Sequence, residues 1–399
     1  MSLHFIFGRA GTGKTTRCCR EIQDYLKKIP GGRAYLLVPD QGTYTAEYLL
    51  AKSFPGAGFI DVTVCGFSRL AYRVFQELHS PVADALSPLG QQIILRRLLD
   101  AHKDELQVIL RAASQPHFSE KLTAFFHQLD MFLVTEDDLL AASQREGETP
   151  LGKKLADLSL LYKAYHDYLR MHFAYEGSLF DLLAREIPKS EKLRGSHIWI
   201  DGFNGMAPQK IRIVSALVHT AEEVTMTLQM DSPEEAAENP NFARPYQLYS
   251  QLQGAIRHSS SIVLTEEKRF RTSDLSLMAR HFFERHARPR PEDGRVKEGL
   301  HLITAESPKE EVDLISRTIT SLVRDKGLRY RDILVLSRTP ENYSDLFTRS
   351  FATYGIPGFI DEKHPMNNHP LVMLTSFLLQ FLAKETGRKN AGWQRLTLF

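Results

Sequence analysis

Apolar and polar positions follow two different rhythms along the 399-residue chain. Residues 3–7 form a short apolar run (LHFIF), followed by a glycine-rich turn. The stretch at 15–28 then places Ile22, Tyr25, Leu26 and Ile29 at helical spacing, and Pro30, Gly31 and Gly32 end it. Residues 34–38 read as a second buried strand, 43–52 as a helix and 59–65 as a third strand. Strand–helix alternation of this period predicts an α/β fold, a parallel sheet with helices on its faces.

From about residue 88 the rhythm changes. Three- and four-residue apolar spacing predicts helices over 91–101, 121–132, 151–171 and 178–186, with no strand between them. Strands return at 197–200, 224–228 and 261–264. The economical reading is an all-helical insertion inside one α/β domain. A segment rich in proline and charge, 287–296, reads as a linker. After it the pattern predicts strand 300–305, helix 309–325, strand 332–337, helix 340–354 and strand 357–360, the opening of a second parallel α/β unit. A last helix at 371–384 is apolar on more than one face and leads into an unpatterned tail ending at Phe399. The expected organisation is therefore 1–86 and 193–264 as two parts of a first domain, 87–192 as the helical insertion, and 265–399 as a linker with a truncated second domain.

Composition narrows the class. Hydrophobic residues make up 43% and charged residues 25%, as in an ordinary globular protein rather than a disordered one. No run reaches the roughly 18 apolar residues of a membrane helix, and the first residues carry no signal-peptide profile, so a cytoplasmic protein is expected. Three cysteines (Cys18, Cys19, Cys65) exclude a disulfide framework or a four-cysteine metal site built from this sequence alone. The formal net charge of +2 hides an asymmetry: residues 1–73 hold ten Lys/Arg against five Asp/Glu, so that block is +5 and the remainder −3. A basic block in a nearly neutral chain suits a phosphate-bearing partner.

The block contains the chemistry to match. Gly8, Arg9, Ala10, Gly11, Thr12, Gly13, Lys14 and Thr15 fit the eight-position phosphate-loop pattern, with a strand before and a helix after. Glycines allow backbone N–H groups to converge on phosphate oxygens, and the helix N-terminus adds partial positive charge. Lys14 can reach the β- and γ-phosphates, and the Thr15 hydroxyl can ligate Mg²⁺. The alternative is a glycine-rich turn that binds nothing. A metal-side carboxylate is expected at the end of a later strand, and Asp201 closes the run HIWID. In motor ATPases an adjacent Glu usually polarises the attacking water, but here Gly202 and Phe203 follow. The next acids along the chain are Glu222 and Glu223. Binding of ATP and Mg²⁺ with slow or absent hydrolysis is the expectation.

With these elements in order, the sequence resembles superfamily-1 helicases of the UvrD type, and most of all the AddB family, the B subunits of bacterial AddAB helicase–nucleases. The carrying segments are FIFGRAGTGKT, the block LVPDQ with Thr43, Glu47 and Tyr48, the block VCGFSRLA, Ile200–Phe203 with Pro208 and Gln209, YRDILVLSR, and 356–361 with Asn368, His369 and Pro370. The similarity runs from residue 2 to about residue 382. It implies a RecA-like P-loop domain followed by the start of a second one. It also implies a role in resecting double-strand breaks for recombinational repair, in a heterodimer with an AddA-like helicase–nuclease partner. The B subunit of that family has a degenerate motor and scans single-stranded DNA for a recombination hotspot. The helicase DNA-contact motifs fall on Gln41, Thr43, Phe67, Arg69 and Tyr72, with Phe203 beside them. Phe67 and Tyr72 suit base stacking, Arg69 a phosphate or guanine edge, and Gln41 a base edge. The alternative for Phe67 and Tyr72 is a core position after the third strand. Arg271, in the run KRFRT, resembles a further nucleotide contact, or else begins a solvated basic helix.

The family's B subunits are much longer and end in a nuclease domain with an iron–sulfur cluster; no ligand set for that cluster is present here, and a truncated or frameshifted gene product is the expectation. Cys18 and Cys19 read instead as helix residues behind the loop. A different class remains open, a self-standing P-loop ATPase or kinase acting on a small substrate, with the helical insertion as a lid. A third is an architectural protein whose nucleotide is structural or whose site has decayed.

Overall fold

The structure is a computed structural model and describes residues 2–54, 61–80, 87–113, 115, 117–173, 179–256, 258–270, 272–281, 299–361, 366 and 369–389. It divides into two units, Met1–Leu300 and His301–Phe399.

Six strands form the centre of the first unit: β1 (Ser2–Gly8), β2 (Ala34–Leu37), β3 (Val62–Cys65), β4 (His197–Ile200), β5 (Glu223–Leu228) and β6 (Ser259–Leu264). All pair in parallel, in the order β3-β2-β4-β5-β1-β6. Successive residues of a strand point to opposite faces; β1 to β5 are covered on both and are largely apolar, whereas the edge strand β6 (SSSIVL) is mostly exposed. On one face Leu3, Phe5, Phe7, Leu37, Ile200 and Val224 join one core. That core is closed by α3 (Phe67–Leu78), α9 (Leu179–Glu186), α10 (Pro208–Thr220) and α12 (Ala243–Ala255) through residues such as Leu70, Phe75, Leu183, Ile213 and Leu252. The short helix α11 (Pro233–Glu238) adds Ala236 to it. On the other face Ile6, Leu36, Val64 and Trp199 meet α1 (Lys14–Lys28) and α2 (Thr43–Ser53) through Cys18, Ile22, Ala46 and Leu50. Each fully buried large side chain contributes about 1.5–3 kcal/mol.

Between α3 and α9 the described regular elements are all helical: α4 (Pro88–Ala101), α5 (Leu110–Ala113), α6 (Phe118–Phe132), α7 (Glu136–Glu146) and α8 (Pro150–Phe173). They share a separate core of Leu95, Leu99, Phe126, Leu161 and Tyr162. The buried Asp157 carboxylate on α8 accepts from the backbone N–H groups of Gln107, Val108 and Ile109, at 2.8–3.1 Å, and so fixes the turn before α5. The apolar rhythm did not predict α7. Its signal is a polar one, Thr135 and Asp138 exchanging hydrogen bonds in a capping box.

After β6 comes α13 (Ser273–His281), the last described helix of the first unit. In the second unit α14 (Pro308–Lys326) packs on α15 (Ser344–Tyr354) around Val312, Ile319 and Phe347. Between them Ser350 Oγ donates to Asp313 Oδ1 at 2.7 Å and bonds Ser316 Oγ at 2.9 Å. The expected strands 300–305, 332–337 and 357–360 are not strands: no ladder is assigned there, and Leu302, Leu334, Leu336 and Phe359 are exposed. Apolar rhythm makes a segment able to extend, but a strand needs a partner edge and a covered face. Helix α16 (Pro370–Lys389) exposes Leu371, Leu374, Phe377, Leu378 and Phe381. The expected linker 287–296 lies outside the described residues.

Candidate functional site

The site lies at the carboxyl ends of the parallel strands, the usual ligand side of such sheets. β1 runs into a loop in which Gly11 and Gly13 have φ of 87° and 88°. A side chain rarely adopts that conformation, so glycine is what permits the tight approach to α1. Lys14, at the head of α1, folds back and donates from Nζ to the carbonyls of Gly8 and Arg9 at 2.6 and 2.9 Å. Burial lowers its pKa, with Arg269 adding to the effect and Asp201 opposing it. The amine is thus held over the loop and is poorly solvated.

Asp201 follows β4 and is buried. Its Oδ2 accepts from Thr15 Oγ1 at 2.6 Å, and its Oδ1 accepts from Thr227 Oγ1. Thr227 is the penultimate residue of buried β5, placed beside Asp201 by the β4–β5 register. The sequence carried a signal for it, a threonine in the apolar run VTMTLQM, since a buried hydroxyl needs a partner. One carboxylate and one hydroxyl are hard oxygen donors. They fit an ion such as Mg²⁺ that takes its remaining ligands from phosphates and water. Among the described residues no group of three His, Cys, Asp or Glu is close enough to hold a metal by itself.

Gly202 has φ of 82°, and a Cβ there would stand 3.4 Å from Pro39 Cδ. The position after Asp201 is thus a left-handed turn that disfavours the Glu expected of a motor. Glu222 and Glu223 lie at the opposite, amino end of the sheet. There His197 Nε2 is 3.6 Å from Glu222, and His197 Nδ1 and His4 Nε2 are each 3.6 Å from Glu223.

The remaining expected nucleotide residues are Arg9, Ala10, Thr12 and Arg271. Thr12 is buried and donates from Oγ1 to the Arg9 carbonyl at 3.0 Å. The Arg9 guanidinium forms a two-pronged pair with Asp231, at 2.6 and 2.7 Å, and donates to the carbonyls of Ala279 and Arg280 at 3.3 and 2.5 Å. It thereby ties the loop to the segment after β5 and to α13; Asp231 was not anticipated, being 222 residues away. Lys268 N donates to the Gly11 carbonyl at 2.8 Å, so residues 268–270 lie along the loop. Arg271 lies outside the described residues.

The loops after β2, β3 and β4 converge beside this site. Val38 N donates to Cys65 O at 3.1 Å and Asp201 N to Leu37 O at 2.9 Å. The Asp40 carboxylate backs onto Gly66 so closely that a Cβ has no room there. These contacts gather the expected DNA residues. Gln41 is exposed, Thr43 is half-buried and donates to the Asp40 carbonyl at 3.0 Å, and Arg69 is exposed on α3. Phe67 and Phe203 are only 3% and 8% exposed, with ring centroids 5.4 Å apart, so both are core residues in the free chain. Tyr72, at 51%, is on the surface. The core alternative therefore holds for Phe67 and fails for Tyr72.

The three thiols are buried, and burial pushes Cys19 and Cys65 up to about 11 and Cys18 well above its ordinary value. They are protonated core groups behind the loop and on β3.

Known proteins resemble this chain over most of its length. A family model described as "ADDB, N-terminal" matches residues 5–279. The chain is 35% identical over 399 residues to the B subunit of the ATP-dependent helicase/deoxyribonuclease of Pelotomaculum thermopropionicum, covering 96% of this chain and 34% of that protein. Against the protein of the same name from Bacillus subtilis it is 35% identical over 387 residues, covering 93% and 33%. Against that of Geobacillus kaustophilus it is 35% identical over 396 residues, covering 95% and 34%. The chain thus spans about a third of the length of the curated relatives it matches. Among the described residues, no helix is long and apolar enough to cross a membrane.

Proposed function

The chain belongs to the AddB N-terminal family, and from that premise we propose that it is a nucleotide- and single-stranded-DNA-binding portion of the B subunit of a helicase–nuclease. In this reading the sheet is a RecA-like P-loop domain, and the second unit is the start of another. ATP lies on the loop Gly8–Thr15, with Lys14 on its β- and γ-phosphates and Arg9 bracing the loop from behind. Mg²⁺, when bound, neutralises phosphate charge. Thr15 and Asp201 would hold it, and Thr227 keeps the Asp201 carboxylate turned toward Thr15.

The observation that carries the reading is the convergence of Lys14, Thr15, Asp201 and Thr227 at the strand ends, built from three parts of the sequence. The residue after Asp201 is a glycine in a left-handed turn rather than an acid, which supports a degenerate motor that binds nucleotide without effective turnover. Single-stranded DNA crosses the loops bearing Gln41, Thr43, Arg69 and Tyr72. Phe67 and Phe203 support that surface from below and join the contact only if the loops open. The whole assembly would pair this protein with an AddA-like helicase–nuclease in the cytoplasm, resecting double-strand breaks while the AddB-like partner scans for a hotspot. Any iron–sulfur cluster belongs to the longer relatives' remaining length.

The test is fluorescence anisotropy of a labelled single-stranded oligonucleotide over a range of salt concentration. Affinity that falls steeply with salt, and falls further in Arg69→Ala, supports the reading. Absent or salt-insensitive binding, with phosphate transfer to a small acceptor, contradicts it.

A further inference from the structure

One exposed aromatic pair belongs neither to the nucleotide loop nor to the DNA residues named above. Helix α2 begins at Thr43 in the loop that carries Gln41. On its outer surface Tyr44 and Tyr48, one turn apart, are 76% and 50% exposed. Their ring centroids are 6.5 Å apart and the planes differ by 13°. Successive bases along one strand are spaced by about 3.4 Å. Near-parallel rings whose centroids lie about twice that far apart match the centre-to-centre spacing of the two neighbours of one inserted flat ring. Lys52, one more turn along, holds its ammonium 4.5 Å from the centre of the Tyr48 ring. The row is thus ring, ring, cation.

We propose that Tyr44 and Tyr48 form an insertion slot for one unpaired base of a single-stranded nucleic acid, with Lys52 placed to meet the neighbouring phosphate. The proposal rests on the single-strand reading above and extends its path along α2. Three features favour a nucleic acid over a protein partner. The ridge continues directly from Gln41 and Thr43, it ends in a cation, and it lies in the +5 block of residues 1–73. Aromatic faces stack on any base, so such a slot adds affinity without choosing sequence.

The experiment uses the whole chain and an oligothymidine carrying a single 2-aminopurine, whose fluorescence is quenched on stacking. The wild-type chain quenches it on binding. Tyr44→Leu and Tyr48→Leu keep side-chain bulk but remove a ring, and each loses about tenfold in affinity together with the quench. Tyr44→Phe and Tyr48→Phe retain both. Both positions are at the surface, and unchanged melting temperatures confirm folding of all four variants. If the Leu variants bind and quench like wild type while Arg69→Ala weakens binding, the slot is wrong and the single-strand reading stands. If the wild-type chain binds no oligonucleotide, both fail together.

Discussion

The two ends of the six-stranded sheet both gather charged side chains, and they are built in opposite ways. At the carboxyl ends Lys14, Thr15, Asp201 and Thr227 are buried or half-buried, and the bonds made by Lys14 and Thr15 span 2.6–2.9 Å. Glycines with positive φ make room for them. At the amino ends His4, His197, Glu222 and Glu223 form pairs at 3.6 Å, with both glutamates substantially exposed. The first arrangement fixes atoms in place and desolvates a cation. The second leaves two carboxylates largely in water beside imidazoles at 3.6 Å, too far for a hydrogen bond, and such contacts contribute little. Clustered charge alone does not make a site; positioned charge with restricted solvation does.

Changing one residue at a time should separate the two ends. Lys14→Ala is expected to have the largest effect, a loss of about a hundredfold in affinity for a fluorescent ATP analogue, since it removes charge-assisted hydrogen bonds to phosphate. Lys14→Met should do the same to binding while keeping or raising the melting temperature of the nucleotide-free chain. The sign follows from the lowered pKa: burying the charged amine costs stability at neutral pH, and that cost is relieved as pH rises through the lowered value toward 10.5. The advantage of Lys14→Met should therefore shrink toward alkaline pH.

Thr227→Val comes next. It leaves a buried Asp201 oxygen without its donor and should cost about 1–3 kcal/mol in urea unfolding. Thr227→Ser should recover most of that. At the amino end, Glu223→Gln should change stability by no more than about 0.5 kcal/mol. A larger loss there, or none at Thr227, would erase the contrast between the ends.

Much of this was legible in the chain before its structure. The loop Gly8–Thr15 is local, with glycine spacing, a preceding strand and a following helix all within a few residues, so its pattern and its shape agree. Asp201 was legible because a strand that ends in a carboxylate is also a local signal. Thr227 showed only as a hydroxyl in an apolar run and Asp231 not at all, because their meaning comes from partners 26 and 222 residues away. Helix α7 escaped because capping rather than apolar period defines it. The strands expected in the second unit show the converse. Residues 332–337 have the right apolar rhythm, yet pairing is non-local, and no partner edge among the described residues supplies it. Phe67 looked equally suited to a base or to a core, and only packing against Phe203 decides for the core in the free chain.

In the function proposed above, this chain binds Mg-nucleotide at the Lys14–Asp201 end without turning it over effectively. Phosphate release by the purified chain, measured with ATP, Mg²⁺ and saturating single-stranded oligonucleotide under conditions where nucleotide binding is independently saturated, tests it directly. Release at background, the same in Lys14→Ala as in wild type, is the expected result. Robust turnover that Lys14→Ala abolishes would contradict it.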